Sequence, residues 1–168
     1  TALMVAESNE IGYFEFSNVP VGNWLVREIA PPAAFVSSEE RFPVEITEDG
    51  QTIEISIENQ IIRGTVETTK VDADYPDHKL SGAVFEIYAD VDNNGKFDAD
   101  VDRLVGEMAE TEPGLYQLKD LACGNYLLHE KESPEFFEKD DAYYPFSIVE
   151  NGVVVRVETE AGVGFLNR

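Results

Sequence analysis

Residues 124–137 read GNYLLHEKESPEFF, and residues 22–35 read GNWLVREIAPPAAF. The alternation in both is that of a β-strand: Tyr126, Leu128 and Glu130 share one face, as do Trp24, Val26 and Glu28. The two stretches lie 102 positions apart. Carried outward without a gap, the same offset places Gly12 on Gly114, Pro43 on Pro145, Ile46 on Ile148 and Gly50 on Gly152. Eleven identities fall between residues 12 and 50, several of them at turn positions. A repeat of this length is a duplicated domain rather than a solenoid unit. Residues 63–168 then read as a complete domain. Residues 1–62 read as the C-terminal part of another, its early strands missing.

The rest of the chain keeps the period of two. Strands are predicted over roughly 12–17, 23–29, 42–48, 51–59, 64–72, 83–89, 104–108, 114–119, 125–131, 143–150, 152–158 and 162–167. Asp49-Gly50, Asn94-Gly95, Pro113-Gly114 and Asn151-Gly152 supply turns between them. No amphipathic stretch is long enough to predict a helix. Many short strands with frequent turns imply an all-β sandwich or barrel.

Charge narrows the function classes. Asp and Glu number 34 against 12 Lys and Arg, a net charge of −22 over 168 residues. That excess argues against nucleic acid, whose phosphates require cations, and against anionic membrane surfaces. A 43% apolar content with ten Phe, seven Tyr and one Trp is too rich for a disordered acidic tail. Acidity belongs to both copies: eleven acids against two bases give −9 for 1–62, and 23 against ten give −13 for 63–168. The single cysteine, Cys123, excludes an internal disulfide, and two histidines leave little for a zinc site. No run approaches the ~20 apolar residues of a membrane span. A cytosolic protein and a trimmed piece of an exported one both fit this composition.

Three polar side chains sit on apolar rows. A carboxylate there is costly to bury unless paired or protonated. One such glutamate is readily explained as an edge residue near solvent; two in the same register, Glu28 and Glu130, weigh toward a built-in role. Ile53, Ile55 and Ile57 share a face with Asn59, and Val163 and Phe165 share one with Asn167. Val66 and Thr68 share a face with Lys70. An inward Lys, an inward Glu and an inward Asn therefore occur in one small β domain.

Residues 90–102, DVDNNGKFDADVD, form a second constellation. Asp90, Asp92, Asn94 and Asp98, with Gly95, match the first nine positions of a calcium loop. Val101 stands where a bidentate acid belongs, and Asp102 follows one place late. Calcium binding and an acidic hairpin loop kept soluble by its charges are the two readings. His129 points away from the Glu130 face and receives no role, and no Ser-His-Asp or phosphate-loop pattern is present.

Trp24–Phe35 resembles the E-box of Gram-positive pilins and surface adhesins, written YxLxExxAPxGY, and 126–137 resembles a looser second copy. Thr68-Thr-Lys-Val-Asp72, LSGAVFEI at 80–87 and GFLN at 164–167 resemble the remaining pieces of a Cna-B (SpaA-like, collagen-adhesin B-type) domain. The resemblance covers 63–168 in order and most of 11–60. It implies tandem Ig-like or transthyretin-like β-sandwich domains on an extracellular, cell-wall-anchored surface or pilus, with anchoring through parts outside this chain. It implies an intramolecular isopeptide bond between Lys70 and Asn167, assisted by Glu130, made once per molecule rather than by enzymatic turnover and with no required cofactor. The implied role is structural, as a pilus subunit or adhesin stalk among neighbouring pilin or adhesin domains; a ligand- or calcium-binding adhesin module is the alternative. The first copy keeps Glu28 and Asn59, but no lysine precedes Lys70. Three accounts stay open: the sequence begins mid-domain, a separate polypeptide supplies the missing strands, or the bond forms between molecules. Because natural proteins avoid bare sheet edges and apolar faces, completion by another polypeptide is expected.

Overall fold

The computed structural model describes residues 3–168, and every regular element among them is a β-strand. The chain divides into two compact units, one running to Pro31 and resuming over Ser37–Asn59, the other made of Pro32–Val36 and Gln60–Arg168. Residues 32–36 join the second unit because Phe35 bridges Ile61 and the Ile62 amide donates to the Ala34 carbonyl.

The first unit holds one hairpin, β1 (Gly22–Val26) against β2 (Phe42–Ile46). Gly22 stands opposite Ile46 and Val26 opposite Phe42. The second unit holds nine strands: β3 (Arg63–Asp72), β4 (Val84–Ala89), β5 (Arg103–Glu107), β6 (Ala109–Glu112), β7 (Leu115–Ala122), β8 (Gly124–Glu132), β9 (Tyr143–Ile148), β10 (Val154–Arg156) and β11 (Phe165–Asn167). One sheet orders β10-β3-β7-β6, with β11 also on β3; the other orders β5-β4-β8-β9. Only β10 and β11 run parallel to their neighbour β3.

The repeat is visible in the backbone of each unit. β8 meets β9 with Gly124 opposite Ile148, which is the β1–β2 register moved by 102. Left-handed residues repeat at the same offset: Asn18 and Asp120, Ala34 and Phe136, Gly12 and Gly114, Gly50 and Gly152.

Between the two sheets of the second unit lies the core, built from inward rows that include Val66 on β3, Phe85 and Ile87 on β4, Tyr116 on β7, Leu128 on β8, Ile148 on β9 and Phe165 on β11. Burying each such side chain is worth about 1.5–3 kcal/mol. Among the described residues up to Asn59, by contrast, none is fully buried.

Two predicted strands, 12–17 and 51–59, have no ladder. Their counterparts in the second unit are β7 and β10, and both of those pair with β3. No described residue of the first unit plays the part of β3, so the alternating side chains have no backbone partner to hold them in a sheet. β6 shows the converse. Its sequence, AETE, carries no alternation, yet it pairs with β7 as a fully exposed, charged edge.

β11 reaches β3 through Gly164, whose φ of +141° suits glycine and whose added Cβ would lie 2.6 Å from the Thr69 carbonyl oxygen. Gly164→Ala is expected to lower stability by about 2–4 kcal/mol, because backbone rather than a flexible side chain must move. Urea denaturation followed by far-UV circular dichroism checks this, and a midpoint equal to that of the parent protein would contradict it.

Candidate functional site

Lys70 is fixed by its backbone before its side chain is considered. Its amide donates to the Gly114 carbonyl, its carbonyl accepts from Leu80, and Phe165 stands opposite it on β11. The alternation of β3 then turns its side chain between the sheets, beside Val66 and Thr68 and with no exposed surface. Asn167 comes from β11 two positions beyond Phe165, and Glu130 comes from β8 in the facing sheet. All three side chains are buried.

The structure brings these three into mutual contact. Lys70 Nζ contacts Asn167 Oδ1 and lies 2.9 Å from Glu130 Oε1. Asn167 Nδ2 donates to Glu130 Oε1 at 3.0 Å and to Oε2 at 3.1 Å. Around them the site is apolar: Nζ lies 4.3 Å from the centre of the Phe165 ring and 5.7 Å from that of Phe85. Burial pushes the Lys70 amine down to about 8, against the opposing pull of the Glu130 and Asp140 carboxylates. An amine and an amide carbonyl are thus held together in a buried site, with one carboxylate touching both nitrogens.

Sequence reasoning missed two supports of this site. The Asp140 amide donates to Glu130 Oε2 at 2.8 Å, and the Asp140 carboxylate accepts from the Tyr144 hydroxyl at 2.5 Å. Asp140 lies in a loop, where no periodicity marks it. The Phe165 ring against Nζ was within reach, because Phe165 and Asn167 share a face.

In the first unit, Glu28 lies just beyond β1 and Asn59 in the extended 51–59 segment. Asn59 Nδ2 donates to Glu28 Oε1 at 2.8 Å. Glu28 Oε2 and Asn59 Oδ1 are closed off from solvent and have no hydrogen-bond partner.

The acidic loop joins β4 to β5. Carboxylate oxygens of Asp90, Asp92 and Asp102 lie within 4.8 Å of one another. Asp98 is not among these three; its Oδ1 accepts from the Asp100 amide, and Asn94 Nδ2 donates to Asp92. The same acids also organise the loop. Asp90 accepts the Asn94 and Gly95 amides, and Asp102 accepts those of Val91 and Asp98.

The sequence matches the SpaA prealbumin-like fold domain over residues 3–61 and again over 64–162. The chain belongs to the SpaA family. Among solved structures, this SpaA chain is similar to the TIE protein of Bacillus anthracis, at 26% identity with a TM-score of 0.78 over 90% of this chain and 27% of that one. It therefore spans about a quarter of that protein's length. Partial similarity extends to the major pilin subunit of Bacillus cereus (22% identity, TM-score 0.46, 62% of this chain and 28% of that one). The minor pilin of Streptococcus agalactiae is similar at 24% identity with a TM-score of 0.41, over 96% of this chain and 66% of that one. No curated protein matches the sequence.

The low Lys70 value has a testable sign. In an Asn167→Ala protein the Lys70 side chain is present as a free amine. Its folded-state value of about 8 lies below its ordinary 10.5. Between those pH values the unfolded chain binds more protons, so stability rises with pH there; below about 8 this group contributes no slope. Urea midpoints are expected to show a gain of about 3 kcal/mol from pH 8 to 10.5 relative to a Lys70→Met/Asn167→Ala baseline. A flat or falling difference would contradict the reading.

Proposed function

We propose that residues 63–168 are a complete Cna-B-type domain that closes itself with an isopeptide bond between Lys70 and Asn167. The observation that carries this is the position of one atom, Glu130 Oε1, at 2.9 Å from the amine nitrogen and 3.0 Å from the amide nitrogen. The neutral amine attacks Asn167 Cγ, a Cγ–Nζ bond forms, the Cγ–Nδ2 bond breaks, and ammonia leaves. Glu130 accepts a proton from Nζ and delivers it to Nδ2, so it ends as it began. Fixed proximity replaces a bimolecular encounter and lets an unactivated amide react. The step is a single-turnover self-modification.

A domain closed in this way suits a structural role on a cell surface, as a pilus subunit or adhesin stalk held to the wall through parts outside this chain. Membership of the SpaA family supports that reading, and residues 1–62 are then the C-terminal part of a neighbouring domain of the same kind. A second reading, calcium binding between β4 and β5, is supported by the convergence of Asp90, Asp92 and Asp102.

Intact mass under denaturing conditions tests the bond. The parent protein is expected one ammonia lighter than its formula, and Lys70→Ala, Asn167→Ala and Glu130→Ala at formula mass. A parent protein at formula mass would overturn the proposal. Closing a loop of 97 residues is worth ~4–5 kcal/mol on the chain-entropy account, so Asn167→Ala is also expected to unfold at lower urea. For calcium, titration calorimetry on the parent protein should give a heat that Asp92→Ala loses; no heat with the parent would end that reading.

A further inference from the structure

The two carboxylate oxygens of Glu130 have different partners. Oε1 lies 2.9 Å from Lys70 Nζ and 3.0 Å from Asn167 Nδ2. Oε2 accepts the main-chain amide of Asp140 at 2.8 Å and lies 3.1 Å from Asn167 Nδ2. The Asp140 amide therefore anchors one oxygen, and with it the plane of the carboxylate that places the other. A main-chain amide is only as well placed as its loop, so the segment before β9 sets the geometry of the site.

The Asp140 side chain holds that segment by both of its oxygens. Oδ1 accepts the Ala142 amide at 2.8 Å, and Oδ2 accepts the Tyr144 hydroxyl at 2.5 Å. Burial and the Asp140 carboxylate push the Tyr144 hydroxyl above its ordinary value, so it stays a donor. The Tyr144 ring meets Phe165 edge-on with centres 5.2 Å apart, and the Phe165 ring centre is 4.3 Å from Nζ. One side chain thus supports the aromatic wall of the site with its ring and the anchor of Glu130 with its hydroxyl. The first unit separates these two duties. At the offset of 102, Phe42 matches Tyr144 and Ser38 matches Asp140. Ser38 Oγ still accepts the amide of Glu40, two residues on, so the turn forms without a hydroxyl at the tyrosine position. The Tyr144 hydroxyl serves something other than the turn.

We propose that Tyr144 and Asp140 are positioning residues for the Lys70–Asn167 bond: the Tyr144 hydroxyl holds Asp140, and the Asp140 amide holds Glu130 with Oε1 toward both nitrogens. This rests on the bond-forming step proposed above and leaves its balance unchanged; Nζ gives its proton to Glu130, and Nδ2 leaves as ammonia. Reaction within a fixed geometry loses rate steeply when a group is slightly misplaced. The charge of Asp140 acts in the other direction. Together with Glu130 it raises the Lys70 amine, whereas Asn167, Phe165 and Phe85 around that amine are uncharged. Position and charge at residue 140 therefore push the rate opposite ways and can be separated.

The test refolds the whole chain by dilution from urea. Far-UV circular dichroism follows folding, and the intact mass of acid-quenched samples follows loss of ammonia across pH. Tyr144→Phe, which keeps the ring on Phe165, is expected to fold like the parent and to lose ammonia about tenfold more slowly. Asp140→Ala is expected to be slower at neutral pH as well, although loss of the charge alone would make it faster. Asp140→Asn, which can still accept the Ala142 amide and meet the Tyr144 hydroxyl, is expected to recover the rate and to move its rate–pH curve to lower pH. Ammonia loss from Tyr144→Phe at the parental rate overturns the proposal and leaves the Lys70 bond standing. So does an Asp140→Ala protein faster than the parent, or an Asp140→Asn protein as slow as Asp140→Ala. Should Tyr144→Phe fail to fold, the two Asp140 variants decide by the same outcomes. A parent protein that never loses ammonia overturns the bond and this proposal together.

Discussion

A lysine amine lies in the space between the two sheets of the second unit, where no water reaches it. Desolvation of a charged ammonium is expensive, and the neighbouring elements are arranged around that expense. β8 brings a carboxylate, β11 brings an amide, and Phe165 and Phe85 present rings to Nζ. Removing the carboxylate would leave both the Lys70 amine and the Asn167 amide nitrogen without their shared buried partner. The same crowding that makes the ammonium costly favours the neutral amine, so the stability problem and the proposed reactivity have one origin.

That constraint also explains the form of the topology. Lys70 and Asn167 come from the first and last strands of the second unit, which lie side by side and parallel on one sheet, while Glu130 faces them from the other. The site forms only when both sheets have met. An amine and an amide 97 residues apart become neighbours after the core has closed, which would tie the proposed chemistry to correct folding. Among the described residues of the first unit, Asn59 pairs with Glu28, and the apolar face stays half-exposed.

Much of this could be read in the sequence because alternation is a strong signal where one face of a strand is dry. Tyr126, Leu128 and Glu130, then Val66, Thr68 and Lys70, and Phe165 with Asn167 are buried as their alternation requires, while Val163 is only partly so. The offset of 102 reappears as an identical hairpin register in β1–β2 and β8–β9. The misses have physical causes. Residues 51–59 alternate as well as any strand, but a strand also needs a neighbour, and pairing is a property of the fold rather than of the segment. β6 is the reverse, a polar edge held by its neighbour's backbone. Asp140 acts through its main-chain amide, which leaves no mark on residue type. In the acidic loop, the spacing predicts five ligands; carboxylates of Asp90, Asp92 and Asp102 converge, and each of these also accepts a main-chain amide within the loop.

The parallel pairing of β3 with β11 has a mechanical consequence. β3 enters the second unit at Arg63, and β11 leaves it at Asn167 level with Asp72, so the two ends emerge at opposite ends of the same strand pair. Pulling on them loads that pair in shear, in which the backbone bonds between the strands resist together instead of opening one after another. Lys70 and Asn167 sit on that line of force. A covalent tie between them would carry the load directly from β3 to β11, and the ninety-odd residues folded between them would be relieved of it.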